Sequence, residues 1–389
     1  MIRTGLDVLL ADLTPIKGRK VGLVTNQSAV TGNLRHGAIA LHESSECDLV
    51  RLFGPEHGIW GEAQDMDHVD SALDPATGLP VHSLYGRTKE DLTPPMDLLM
   101  DLDVLVIDLQ DVGSRYYTFI YTMALCMQVA GHVGVPVVVL DRPNPINGVQ
   151  VEGNLHEPGF HSFVGMFPLP VRHALTIGEL ARYFNVRFTL HCDVTVIPMQ
   201  GWQRSMFWDE TGLPWVIPSP NMPTPLTAIV YPGMCLIEGT NLSEGRGTTK
   251  PFELFGAPWL DSFALAARLN SVDLPGVRFR PHSFKPTNQK HAGEICGGVQ
   301  LHVTDRHTFE PYRTGLWCVK IARELDEHNF DWRREPYEYE NETLAIDLLC
   351  GTDLFRAMVE SDREIDLWVG QWETEQSVFL DERRNYLLY

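Results

Sequence analysis

Residues 103–113 read DVLVIDLQDVG and residues 136–145 read PVVVLDRPNP. In each, one leading residue is followed by an unbroken run of Val, Leu and Ile too short for a helix, and the stretch then stops in Asp, Asn, Gly or Pro. A strand buried on both faces has this texture. Between the two, Ile120, Met123, Met127 and Ala130 recur at helical spacing within residues 116–132, so strand, helix and strand alternate as in a parallel βαβ unit. Toward the amino terminus, KVGLVT at 20–25 closes in Thr25-Asn26-Gln27, and DLVRLF at 48–53 runs into Gly54-Pro55-Glu56-His57-Gly58. The expected fold class is α/β, built on a Rossmann-like parallel sheet. Ligands of such sheets bind beyond the carboxyl ends of the strands, so the clusters TNQ, GPEHG, QDVGSRYY and DRPNP mark an active-site rim. Asn33, Asp74 and Asn147 are read as plain turn formers.

Toward the carboxyl terminus, Thr176-Ile177-Gly178-Glu179 forms a capping box opening a helix through Tyr183, which makes Glu179 a cap. Prolines 214, 218, 220, 223, 225 and 232 crowd an irregular stretch read as a crossing between domains. Beyond it a smaller α+β unit is expected, with helices at 262–270, 314–327 and 344–360 and a strand at 297–303. At roughly 100–200 residues per domain, 389 residues call for two domains, placed at 1–232 and 233–389.

Lys+Arg 31 against Asp+Glu 51 gives a net charge of -20, which repels nucleic acid and anionic lipid. An anionic substrate then needs a local arginine. Seven cysteines lie far apart without zinc or CxxC spacing, and are expected to be reduced and mostly buried. The opening MIRTGLDVLLADLTPIKGRK lacks a signal-peptide pattern, so a cytoplasmic protein is expected, unless a leader has been removed.

No metal or cofactor is expected. The string Glu244 to Lys250 has neither P-loop nor dinucleotide spacing. It reads as a loop approaching a ligand, with Arg246 directed at an anion. The missing glycine fingerprint also argues against a nicotinamide oxidoreductase. The run Asp65, Asp67, His68 and Asp70 lacks the calcium-loop glycine and glutamate. Ser219 lies between prolines and opens no nucleophile elbow, while His161 and His191 are read as structural. Carboxylate chemistry remains, with Glu56 displayed on a glycine-flanked turn at a strand end as general acid. Asp111, Asp141, Glu152 and Glu238 are open as the second carboxylate; Asp111 and Glu152 are carried as catalytic candidates. With a 2-acetamido sugar, the sugar's own carbonyl is an alternative nucleophile.

The strings FGPEHGIWGE, LPVHSLYG, DLQDVGSRYYTFIYTM, VLDRPNPINGVQVEG, SFVGMFPLPVRHALTIGELARYFN, GWQR, SPNMPT, CLIEGTNLSEGRGTTKPFELFGAPW and YLLY closely resemble the NamZ-type exo-β-N-acetylmuramidases, from about residue 20 to Tyr389. The resemblance implies a Rossmann-like domain and a smaller α/β domain with a cleft between them. It implies release of N-acetylmuramic acid from the non-reducing end of peptidoglycan fragments. The FGPEHG glutamate falls on Glu56, and the RxYT element sets Arg115, Tyr116 and Tyr117 beside it. His57, Asp141, Asn144, His173, Asn221 and Asn241, together with Glu238, fall in the same strings as substrate-binding candidates, and Asn26, in the TNQ cluster, is carried with them. Departures from the family pattern occur at His82, Asn154 and Ala174-Leu175. The lactyl ether of N-acetylmuramic acid is an anion, and Arg115, Arg142, Arg172 and Arg246 are the candidates to bind it. Rival readings are a β-hexosaminidase of another specificity and a non-catalytic cell-wall fragment binding protein.

Overall fold

The computed structural model describes residues 2–64 and 66–389; Asp65, part of the acidic run considered above, lies outside them. Seven strands form the larger sheet: β1 Lys20–Thr25, β2 Asp48–Gly54, β3 Ala72–Leu73, β4 Pro80–Ser83, β5 Val104–Asp108, β6 Val137–Leu140 and β7 Val194–Ile197. Their order is β3-β4-β2-β1-β5-β6-β7, and every neighbouring pair is parallel except β3 with β4. Strand periodicity divides the apolar side chains between two cores. Val21, Leu23, Val104 and Val106 pack on one face, while Val24, Leu105 and Ile107 pack on the other. Both faces are covered, which is why β5 and β6 read as continuous apolar runs.

A smaller antiparallel sheet follows, β8 Leu254–Ala257, β9 Val277–Phe284 and β10 Cys296–Val303, in the order β8-β10-β9. The two sheets do not enclose separate cores. The apolar cluster on the Ile107 face continues through Leu236, Leu265, Val299, Leu316, Ile346 and Trp368. Its continuity depends on the helices Pro225–Met234 and Pro311–Leu325 meeting backbone to backbone. A Cβ on Gly233 would fall 1.8 Å from the Pro311 carbonyl oxygen, and one on Gly315 would fall 2.1 Å from the Gly233 oxygen. Glycine is the residue that permits this approach.

Three expected elements differ in the structure. The helix expected from residue 116 begins at Phe119, because Tyr116 and Tyr117 lie in the preceding turn and Thr118 is the N-cap. The proline-rich crossing ends in the helix Pro225–Met234, started by Pro225 and carrying Pro232 within it. The helix expected over 344–360 is two, Ala345–Cys350 and Leu354–Glu360, broken at Gly351 with φ 70°. The Thr176 capping box is present, with Glu179 also accepting from Arg204 at 2.6 Å.

Strand order reverses between β1 and β5, the usual ligand crevice of such a sheet. Here it is closed. Arg142 lies in it, paired through Nε and Nη2 with the Asp108 carboxylate at 2.6 and 2.9 Å. Asn26 donates to the Pro218 carbonyl at 3.2 Å and Gln27 to that of Ile217 at 2.9 Å, drawing the 213–218 segment across the opening. The TNQ and DRPNP clusters therefore close a crevice and do not form a rim. No described helix is long and apolar enough to cross a membrane.

Candidate active site

With the central crevice shut, the recess nearest the strand ends lies to one side, after β2. Glu56, on the turn after β2, is 7% exposed and lines it together with Tyr116, Tyr117, Thr118, Glu238, Arg246, Tyr337 and Glu338. The turn is tight: His57 stands at φ 70°, and its Nδ1 lies 3.0 Å from the Ala63 carbonyl. Thr118, the N-cap of the helix Phe119–Val133, makes no side-chain cap and instead donates its hydroxyl to Glu56 Oε2 at 2.7 Å. The carboxyl thus sits at the positive end of a helix. No described residue makes a hydrogen bond to Oε1.

Opposite Glu56, Glu238 has both oxygens held, Oε1 by Arg246 at 2.7 Å and Oε2 by the Tyr337 hydroxyl at 2.8 Å. Arg246 also lies 3.2 Å from Glu244, which in turn lies 2.8 Å from Lys290. Burial opposes the Glu244 charge, but Lys290 and Arg246 keep its carboxyl below the usual range. Glu338 accepts from the Tyr85 hydroxyl at 3.1 Å. Burial, reinforced by the charges of Glu56 and Asp111, holds the Tyr117 phenol protonated. Its hydroxyl is enclosed near Ser219 but has no partner in hydrogen-bond geometry among the described residues. An orphaned donor beside a carboxyl is the kind of group a polar ligand satisfies.

The recess therefore brings together Glu56, His57, Tyr116, Tyr117, Glu238 and Arg246. Tyr116 contributes its ring, since its hydroxyl bonds the Pro232 carbonyl. Asn241 lines an adjoining recess, and Asn221, which lines neither, donates to Gln64 at 3.3 Å. The other candidates lie elsewhere. Arg115 is fully buried, and its guanidinium donates to the carbonyls of Asn154, Leu169, Leu349 and Cys350 at 2.7–3.1 Å. It joins the two halves of the chain and presents nothing to the recess. Arg142 is paired with Asp108 as described, and Arg172 donates to Ile146 and Gln150. Arg172 and Glu152 line a separate hollow, where Glu152 accepts from the Arg313 amide at 2.8 Å. Burial pushes the Glu152 carboxyl up to about 7.

Asp111 is enclosed behind the recess, accepting from the Gly113 amide at 2.8 Å with His173 3.4 Å away. Asp141 is held by the Thr176 and Tyr389 hydroxyls and the amides of Arg142 and Gly178. Asn26 and Asn144 brace backbone turns. Arg246 does reach the recess, but Gly245 and Gly247, at φ 80° and 76°, press against the backbone at Leu254 and Asn288. Those glycines serve loop closure, and Arg246 faces carboxylates of the protein itself. Among the described residues no group of three or more His, Cys, Asp or Glu side chains is arranged to hold a metal ion.

Sequence reasoning missed Thr118, Tyr337 and Glu338. The first is the threonine of the RxYT element itself, where a threonine is also an ordinary helix N-cap. The others come from a polar segment, PYEYENE, whose hydrophobicity pattern marks no element. The available signal is visible only in three dimensions: Glu338 and Tyr339 are consecutive non-glycine residues at φ 48° and 67°. Such strain accumulates where side chains must be aimed.

The comparisons agree along the whole chain. The family profiles described as Exo-beta-N-acetylmuramidase NamZ, N-terminal and C-terminal, match residues 21–226 and 229–389. A protein of Bacillus subtilis (strain 168) named peptidoglycan beta-N-acetylmuramidase NamZ is 46% identical over 389 residues, covering 100% of this chain and 91% of its own length. Two DUF1343 family proteins of Bacteroides fragilis NCTC 9343 have similar crystal structures. One has a TM-score of 0.89 at 35% identity, the other 0.77 at 28%, and each comparison covers 100% of this chain and 99% of the relative. The chain belongs to the exo-β-N-acetylmuramidase NamZ family, a family of glycoside hydrolases.

Proposed function

We propose that this protein hydrolyses the β-1,4 bond holding a terminal N-acetylmuramic acid at the non-reducing end of peptidoglycan fragments, with Glu56 as general acid. The observation that carries this reading is the Glu56 carboxyl itself. One oxygen is fixed by Thr118, and no described residue bonds the other at the recess. Proton transfer to the leaving oxygen requires that arrangement. As Glu56 gives up its proton, the helix amino terminus and the Thr118 hydroxyl stabilise the carboxylate that forms. The neutral Tyr117 hydroxyl donates to the sugar. Glu238, fixed through Arg246 and Tyr337, holds the far wall in place, and Glu338 supplies the other carboxylate facing the sugar.

Residues 1–232 then provide the acid and 233–389 provide Glu238, Arg246, Tyr337 and Glu338, so the recess requires both parts of the chain. Seven unpaired cysteines fit a reducing compartment, and we place the enzyme in the cytoplasm, recycling cell-wall sugars. The test is turnover of a chromogenic β-N-acetylmuramide beside the matching β-N-acetylglucosaminide. Turnover of the muramide alone is expected. Equal rates on both, or no turnover of either, would refute the reading.

A further inference from the structure

A second recess adjoins the first and shares Glu238 with it; Asn241, Lys290, His291, Arg333 and Arg334 stand on its walls. Its cations are already engaged, with one exception. Lys290 donates to the Ile237 and Thr240 carbonyls at 3.0 and 3.1 Å and pairs with Glu244 at 2.8 Å. Arg334 pairs with Asp331 at 3.2 Å, and His291 lies 2.7 Å from the Asn241 carbonyl. Arg333 has no carboxylate within 4.0 Å among the described residues. Its Nη2 makes only long contacts, 3.5 Å to Met66 Sδ and 3.4 Å to the Pro336 carbonyl. Its guanidinium lies over the Tyr337 ring, 5.1 Å from the centroid.

Met66 and Tyr337 also line the Glu56 recess, so Arg333 stands on the boundary between the two. We propose that Arg333 binds the lactyl carboxylate of the terminal sugar and thereby selects it over an uncharged hexosamine. The proposal rests on the hydrolase reading above. A guanidinium stacked on an aromatic ring keeps its in-plane N–H groups available for a bidentate contact. The lactyl group is a short arm leaving the sugar ring, so with the ring beside Glu56 its carboxylate reaches an adjoining space. A chain of net charge -20, with Glu56, Glu238 and Glu338 around the ring, needs a cation without an acidic partner to hold that anion.

The experiment compares wild type, Arg333→Met and Arg333→Lys on a chromogenic muramide with a free lactyl acid and on the same compound as its lactyl methyl amide. Wild type is expected to have the lower KM for the acid. Arg333→Met should raise the KM for the acid roughly tenfold or more while leaving kcat and the amide KM within about twofold. Arg333→Lys should fall between the two. The unchanged amide kinetics guard against a folding defect. If Arg333→Met keeps the acid–amide preference of an active wild type, the proposal is overturned and the hydrolase reading survives. If wild type turns over neither compound, both are overturned.

Discussion

Replacing Glu56 by Gln separates proton donation from every other role of this side chain. The amide is close to isosteric, and its oxygen can still accept the Thr118 hydroxyl that reaches Glu56 Oε2 at 2.7 Å. The turn and the recess should therefore keep their shape, and thermal unfolding should be unchanged. What disappears is the transferable proton on the other oxygen, worth about 10²–10⁴ in rate, or about 2.7–5.5 kcal/mol of barrier. That loss should appear in kcat on a muramyl-glucosamine disaccharide, whose leaving group is a poor one. With an activated aryl muramide the loss should shrink to about tenfold or less, since an aryl oxide departs with little help. Thr118→Val offers a graded control. It removes one hydrogen bond to a charged group, about 1.5–3 kcal/mol at most, and should slow the disaccharide reaction by roughly 10- to 100-fold. Steady-state kinetics on both substrates decide the matter. A near-wild-type disaccharide rate for Glu56→Gln would assign the acid elsewhere, and equal losses on both substrates would reduce Glu56 to a positioning role.

Two stability predictions follow from the packing. Arg115→Met should destabilise the fold by about 3–5 kcal/mol, because four buried carbonyls lose their donor, whereas the KM of the surviving folded enzyme should hardly move; a stable variant with raised KM would return Arg115 to the binding site. Gly233→Ala should cost about 1–3 kcal/mol or more in chemical denaturation, since the new methyl meets the Pro311 carbonyl 1.8 Å away. Wild-type stability there would mean that the two helices separate at little cost.

Strands β1, β2, β5 and β6 were legible because they carry their own boundary signals, and KVGLVT is β1 from Lys20 to Thr25 as expected, whereas β3, β4 and β7, short strands toward the two edges of the sheet, were not. The place of Glu56 on the recess was legible for the same local reason, a carboxylate between glycines at a strand end. Arg115, Arg142 and Arg172 lie away from the recess, and motif context does not distinguish an arginine facing a ligand from one paired within the protein. Arg115 finds its partners as far away as Cys350, a pairing that no local pattern encodes. The closed crevice is likewise a long-range event, in which Asn26 meets Pro218. Glu338 reaches Tyr85 across 253 residues. What went unread was mostly what the chain builds by returning to the β2 turn from its far end.

The left-handed pair Glu338 and Tyr339 has a bearing on any effort to harden this enzyme against heat. Each residue costs roughly 1–2 kcal/mol relative to an ordinary conformation, so a search for stabilising substitutions should be drawn to both positions, with glycine an obvious choice. Yet this segment carries Tyr337 against Glu238 and Glu338 against Tyr85. Relaxing it would gain melting temperature while loosening one wall of the recess. Selection for thermal survival alone should accumulate changes here that selection for turnover removes, making residues 337–339 a place where durability and rate are exchanged.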